Sequence, residues 1–114
     1  MNLVVLVGNL SRDPEFHKTS GGISTCSFTL AVEREQSKKD REGGTKSTAD
    51  FITIITWRNT ADLCAKYLAK GKQVAVTGQW RNREYEKDGQ KRTVSECVAS
   101  EVQFLGPPPR LENE

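Results

Sequence analysis

The run Ala49-Asp50-Phe51-Ile52-Thr53-Ile54-Ile55-Thr56-Trp57-Arg58 carries the clearest structural signal in the chain. From Phe51 to Trp57 every residue is β-branched or aromatic, and such side chains fit a pleated surface better than a helix. Strand alternation sorts them: Phe51, Thr53, Ile55 and Trp57 point one way, and Ile52, Ile54 and Thr56 point the other. Both faces carry apolar groups, which leaves two arrangements open. Either both faces are covered, with the rings in a core, or one face serves the core and the other presents Phe51 and Trp57 to a ligand. Two rings on one side of a strand with Arg58 beside the second suit a flat π-system on a charged backbone, as in a single nucleic acid strand.

The rest of the chain narrows the choice of class. Its 114 residues make one domain, large enough to bury a core without staples. With 28% charged and 35% hydrophobic residues it has a soluble globular composition, and no apolar run is long enough to span a membrane. Met1 to Val7 is apolar but has no basic leader and stops at Gly8, so it reads as a first strand and not as a signal peptide. Cys26, Cys64 and Cys97 are odd in number and widely spaced, which argues against a disulfide framework and for a reducing compartment. His17 is the single histidine, so no zinc site of familiar spacing is available and acid–base or nucleophilic catalysis lacks its usual partner. No cofactor, metal or catalytic residue is expected. The net charge of +2 is too small to imply a polyanion partner by itself; the placement of the charges must do so.

Taken in order, residues 2–7 form a short apolar strand that Gly8 and Pro14 interrupt, and residues 15–18 extend briefly. Residues 23–34 alternate, with Cys26, Phe28, Leu30 and Val32 on one face and Thr25, Ser27, Thr29 and Ala31 on the other. Residues 36–48 hold no apolar side chain and read as a mobile hairpin loop able to reach over a ligand. After the strand at 51–57, residues 59–70 predict a helix. Asn59 or Thr60 is its cap, Asp62 lies in its first turn, and Gly71 is its left-handed stop. Its buried face is Ala61, Cys64, Ala65 and Leu68, widened by Leu63 and Tyr67. Residues 73–85 form a strand with Val74 and Val76 inward and a bend at Gly78. Asp88-Gly89 signals a hairpin turn, and residues 92–105 return. Three strands, a helix and two strands in ~100 residues is the layout of an all-β, five-stranded OB-fold barrel with its helix between strands three and four. The expected division is an OB domain over 1–106 and a short polar tail over 107–114.

Ligands of OB folds lie across strands two and three between the flanking hairpins. Phe51, Trp57 and Arg58 fall on strand three. Arg34, Lys38 and Lys39 fall at the end of strand two and in its loop, and Arg81, Arg83, Tyr85, Lys87, Lys91 and Arg92 fall on the hairpin of strands four and five. Aromatic and cationic residues thus recur together. Glu84, Glu86 and Asp88 are interleaved with the hairpin cations, so a merely solvated edge is the competing reading of that segment.

Several motifs in order resemble the bacterial single-stranded DNA-binding protein family: Asn2-Leu3-Val4-Val5-Leu6-Val7-Gly8-Asn9-Leu10 with Asp13-Pro14-Glu15, Phe28-Thr29-Leu30-Ala31-Val32, and Ala49-Asp50-Phe51-Ile52 through Trp57-Arg58. Ala65-Lys66-Tyr67-Leu68-Ala69-Lys70-Gly71, Arg81-Asn82-Arg83-Glu84-Tyr85 and Glu101-Val102-Gln103-Phe104-Leu105 continue the match to about Gly106. The resemblance implies an OB fold, usually a homotetramer, that wraps single-stranded DNA without sequence preference and catalyses nothing. It places the base-stacking positions on Phe51, Trp57 and Tyr85, puts basic hairpin positions on Arg81 and Arg83, and puts a fourth stacking position on Gln36, which has no ring. Trp80 falls on a typically aliphatic position and is not assigned to DNA.

The family's usual acidic tip with a terminal phenylalanine has no counterpart in Leu111-Glu112-Asn113-Glu114. Weak or absent tail-mediated recruitment of replication and repair proteins is the expectation, whether the chain is trimmed or is a short paralogue of the kind found in competence systems, plasmids and phages. The expected role is protection of single-stranded DNA in replication, recombination, repair or DNA uptake, in the cytoplasm with the nucleoid. Phe51, Trp57 and Tyr85 would be stacking platforms, and Arg34, Arg58, Arg81, Arg83 and Lys87 phosphate contacts. The competing class is an OB-fold interaction module with a repurposed DNA surface, as in primosomal accessory proteins. An RNA chaperone is a neighbouring option and an enzyme a distant one.

Overall fold

A computed structural model describes residues 1–34 and 49–105. The expected hairpin loop with Gln36, Lys38 and Lys39, and the expected tail over 107–114, lie outside the described residues. In chain order the elements are β1 (Val4–Leu10), β2 (Glu15–Lys18), β3 (Ser24–Glu33), β4 (Ala49–Trp57), α1 (Arg58–Tyr67), β5 (Gln73–Lys87) and β6 (Gln90–Phe104). The sheet runs β1-β5-β6-β4-β3-β2, and β1 also pairs with β3 at Asn9↔Ala31 and Leu10↔Leu30, which closes the five long strands on one another. The helix sits between the third and fourth of those strands, as the OB layout requires. β2 is a four-residue addition on the outer edge of β3.

Alternation builds the core. Phe28, Leu30, Ile54, Val74, Val76, Cys97 and Ala99 point inward from four strands and meet Ala61, Cys64 and Leu68 of the helical segment. Thr56 is buried among them and donates its hydroxyl to the Cys26 carbonyl at 2.8 Å, so its polar atom has a partner in the interior. All three cysteines are buried and free.

Three local expectations are corrected. Gly8 does not end β1; it lies within the strand opposite Val74, and a Cβ there would run into the Ala31 carbonyl, so the missing side chain lets β1 and β3 approach. The helix starts directly from Trp57 with no side-chain cap, and no acidic residue lies in its first turn, so neither Asn59, Thr60 nor Asp62 plays the role its type suggested. Helical structure stops at Tyr67. Gly71, at φ +91°, serves the turn after it, where the Lys72 N–H donates to the Ala69 carbonyl at 3.1 Å. Leu63 and Tyr67 do not join the core: the helical segment is buried along Ala61, Cys64 and Leu68 with Ala65 beside them, while Leu63 is half exposed and the Tyr67 ring, also partly exposed, lies 6.1 Å from the ring of Phe104 on β6.

The bend expected at Gly78 is present as a register shift between Thr77 and Gly78. Beyond it β5 and β6 leave the body as a two-stranded ribbon in which every residue over 79–87 is exposed. Asp88 and Gly89 close the ribbon with φ of 54° and 75°, the paired left-handed angles of a type I′ turn.

Candidate nucleic-acid interface

The two faces of β4 separate cleanly. Ile54 and Thr56 are wholly buried, whereas Phe51 is 63% and Trp57 37% exposed. The arrangement with both rings in a core is thereby excluded. Across the strand pair, Phe51 lies opposite Ala31, Thr53 opposite Thr29, Ile55 opposite Ser27 and Trp57 opposite Thr25. Small side chains therefore floor a shallow trough with a ring near each end. At the usual strand rise the two rings stand about 20 Å apart along β4, several times the ~3.4 Å rise per stacked nucleotide, so they address different bases. A cleft of about 140 Å³ opens onto the same trough, lined by Arg12, Asp13, Glu15, Ser27, Phe28, Thr29 and Thr53.

The third ring comes from the ribbon. Tyr85 is 40% exposed and shares a face of β5 with Arg81, Arg83 and Lys87. That face is continuous with the rings of β4: Ile55 pairs with Val98 and Val98 with Gln79, and alternation carries the side from Val98 to Glu96 and from Gln79 to Arg81, Arg83 and Tyr85. Phe51, Trp57 and Tyr85 thus lie on one side of one sheet. Glu84 and Glu86 alternate to the other side. The mixed charge of the ribbon is two faces of different character superposed in sequence.

Of the expected cations, three are tied to carboxylates. Arg34, just after β3, donates to Asp50 Oδ1 from Nε at 2.9 Å and from Nη2 at 2.8 Å, which holds its guanidinium next to the strand that bears Phe51. Arg81 Nη2 and Arg83 Nε both donate to Oε1 of Glu96, at 3.2 and 3.1 Å. Glu96 is only 1% exposed, while the two arginine side chains remain about half exposed. The Arg83 guanidinium also stands 5.9 Å from the centroid of the Tyr85 ring, within cation–π range. Lys87 is exposed at the end of the ribbon. Arg58 opens α1 at φ +59°, a left-handed conformation that costs a residue with a side chain ~1–2 kcal/mol. Strain of this kind gathers where a side chain must be aimed, and it stands immediately after Trp57.

Two anchors escaped the reading of residue types: Glu96 and Asp50. Trp80 keeps clear of the trough side, and its backbone is bound by Asn2, which accepts from the Trp80 N–H at 2.9 Å and donates to its carbonyl at 2.7 Å. The Asn2 side chain so ties the segment before β1 to the backbone of β5. Among the described residues no helix is long and apolar enough to cross a membrane, and no three His, Cys, Asp or Glu side chains gather as metal ligands.

A family model described as the single-strand binding protein family matches residues 1–105. Single-stranded DNA-binding protein 3 of Clostridium acetobutylicum is 47% identical over 107 residues, covering 92% of this chain and 71% of that protein. Single-stranded DNA-binding protein 2 of the same organism is 42% identical over 117 residues, covering 99% and 84%. Single-stranded DNA-binding protein 1 of Staphylococcus aureus is 42% identical over 115 residues, covering 100% and 71%. With its OB topology and a match that runs through every described strand, the chain belongs to the single-strand binding protein family, a family of binding proteins and not of enzymes.

Proposed function

We propose that this chain binds and protects single-stranded DNA without sequence preference, wherever replication, recombination, repair or DNA uptake exposes it in the cytoplasm. Bases stack on Phe51, Trp57 and Tyr85, and Arg34, Arg58, Arg81, Arg83 and Lys87 contact the phosphates. The observation that carries this reading is the common side of the three partly exposed rings, drawn from two strands far apart in sequence. Every base has a π-face, so such platforms accept any sequence, each contributing ~1–3 kcal/mol. The binding unit is residues 1–106.

Assembly as a homotetramer is supported by β1. Among the described residues only its last two pair with β3, which leaves the backbone edge of Val4 to Val7 open there, and Leu3, Val5 and Val7 are 63%, 62% and 48% exposed beside it. An apolar open edge of this kind pairs with another chain. Light scattering at micromolar concentration should give four copies; a monomer would remove this part of the proposal.

The binding itself is tested with labelled oligothymidine, oligodeoxycytidine, a mixed deoxyoligomer and oligouridine, each followed by anisotropy across a salt series. Comparable affinities for the three DNAs, each falling with salt, are expected. Binding confined to one sequence, a preference for oligouridine, or a flat salt response would defeat the proposal.

A further inference from the structure

Among the described residues Glu96 is the one buried acidic side chain, and it lies on the side that carries the rings. Both arginines bond the same oxygen, Oε1, through a single atom each, so most of each guanidinium's N–H donors stay free to face solvent. Burial of a carboxylate is tolerated only with such pairing. The contact does two things together: it fixes where Arg81 and Arg83 point, next to Tyr85, and it cancels part of their charge.

We propose that Glu96 is a brake on DNA affinity built into the binding surface, a positioning residue that makes the Arg81–Arg83 pair act toward a phosphate as one positive charge instead of two. The proposal rests on the single-stranded DNA reading above. Its physical core is charge counting. A strand that meets two uncompensated guanidiniums releases more counterions than one that meets the compensated cluster, and the difference appears as salt dependence. A weaker, less salt-sensitive grip leaves DNA easier to release, while the aromatic contacts are unaffected.

Glu96→Gln is the direct test, because the amide keeps an oxygen for both arginines and keeps the volume while removing the charge. Oligothymidine affinity is measured between 50 and 200 mM salt for the wild type, Glu96→Gln, Arg81→Gln and the double variant. The slope of log affinity against log salt should steepen by about 0.7 in Glu96→Gln, so that its affinity changes about 2.6-fold more than the wild type's over that range. Arg81→Gln should be shallower than wild type by about the same amount, and the double variant should return to the wild-type slope. A scaffold whose charge has no effect predicts the reverse: Glu96→Gln unchanged or shallower, and the double variant no steeper than Arg81→Gln. Either result overturns the brake. Should Glu96→Gln alone fail to fold because two guanidiniums then converge on an uncharged amide, the double variant, which leaves only Arg83 there, is compared with Arg81→Gln and decides alone. Failure of the wild type to bind oligothymidine would sink the functional reading itself, a different outcome from wild-type binding with an unmoved slope.

Discussion

Phe51→Ala separates binding from folding more sharply than any other change in the trough. The ring is 63% exposed, and its cross-strand neighbour is the small Ala31, so only about a third of it is packed. For a side chain of ~200 Å² that is ~70 Å², which at ~25 cal/mol/Å² sets an upper bound of ~2 kcal/mol on the stability lost. On the binding side the missing stacking platform removes ~1–3 kcal/mol, or roughly a 5- to 150-fold weaker complex.

The two losses are read separately. Thermal unfolding followed by circular dichroism gives the first, and anisotropy of a labelled oligothymidine at 25 °C gives the second. A labelled strand is preferable to intrinsic fluorescence because Trp80 reports alongside Trp57. Phe51→Leu sharpens the comparison: it restores most of the apolar packing but not the π-face, so its stability should recover while its affinity stays low. Phe51→Tyr should keep both. A well-folded Phe51→Ala that binds within twofold of wild type, or a Phe51→Leu that restores affinity, would refute base stacking on this ring.

Other perturbations follow from the same geometry. In Gly78→Ala the new Cβ would meet backbone, 2.8 Å from Ala99 Cα and 2.9 Å from Val98 C. Backbone cannot yield as a side chain does, so a loss of about 1–3 kcal/mol or more and a melting temperature lower by roughly 4–8 °C per kcal/mol are expected. Arg58→Gly should move stability and binding in opposite directions. Relief of the left-handed strain stabilises by up to ~1 kcal/mol after glycine's own entropy cost, while loss of the guanidinium weakens oligothymidine binding; a destabilised variant would show that the angle is not strained. Cys64 contributes to alkaline stability, as the buried Cys26 and Cys97, also raised by burial, do. Burial first, then the nearby Cys26 thiol, push the Cys64 thiol from 9.0 up to about 12. The unfolded chain therefore loses this proton above about pH 9 while the folded one holds it, so stability is full below pH 9 and declines towards pH 12. A denaturant series should show that alkaline decline in the wild type and a shallower one in Cys64→Ala; equal slopes would assign the decline to other groups.

The order of elements, three strands, a helix and two strands, already specified the OB layout that the structure has, and alternation and turn chemistry decided its local detail. The apolar alternation over 51–57 separated the Ile54–Thr56 side from the Phe51–Trp57 side, and Asp88-Gly89 set a two-residue turn that the backbone adopts. Which side of β4 is covered was not legible, because cover comes from Cys97 on β6, about 40 residues away, and from α1. The errors have the same origin. Gly8 looks like a break when only its own segment is considered; its reason is the Ala31 carbonyl of another strand. Asn59 and Thr60 have the chemistry of a cap, but the chain enters α1 through an extended Trp57 and a left-handed Arg58, which leaves them inside the first turn. Leu63 and Tyr67 have the spacing of a buried face, yet Leu63 stays half exposed and Tyr67 reaches only Phe104 at the rim of the sheet.

The anchor of the arginines was legible in principle, and the reason lies in the turn. A two-residue loop at 88–89 pairs Lys87 with Gln90, and antiparallel strands keep the sum of paired numbers constant. Arg81 must then face Glu96, Arg83 must face Val94, and Tyr85 must face Arg92, as they do. The same count sets Glu84 against Thr93 and Glu86 against Lys91 on the opposite side. Charge composition alone offers a ribbon of alternating signs, indistinguishable from a solvated edge. Register turns it into a side that carries Arg81, Arg83, Lys87 and Arg92 with Glu96, bonded by the first two, as its one acid, and another side that holds Glu84 and Glu86. What register cannot supply is depth: that Glu96 is covered, while its partners stay half exposed, depends on the ribbon emerging from the barrel at that level. One pair further towards the tip, the same carboxylate would be hydrated, and its hold on the arginines would fall to the ~0–1 kcal/mol of an exposed ion pair. The position of the acid along the ribbon, set by the distance from the Asp88-Gly89 turn to the bend at Gly78, is thus what makes it an anchor instead of one more surface charge.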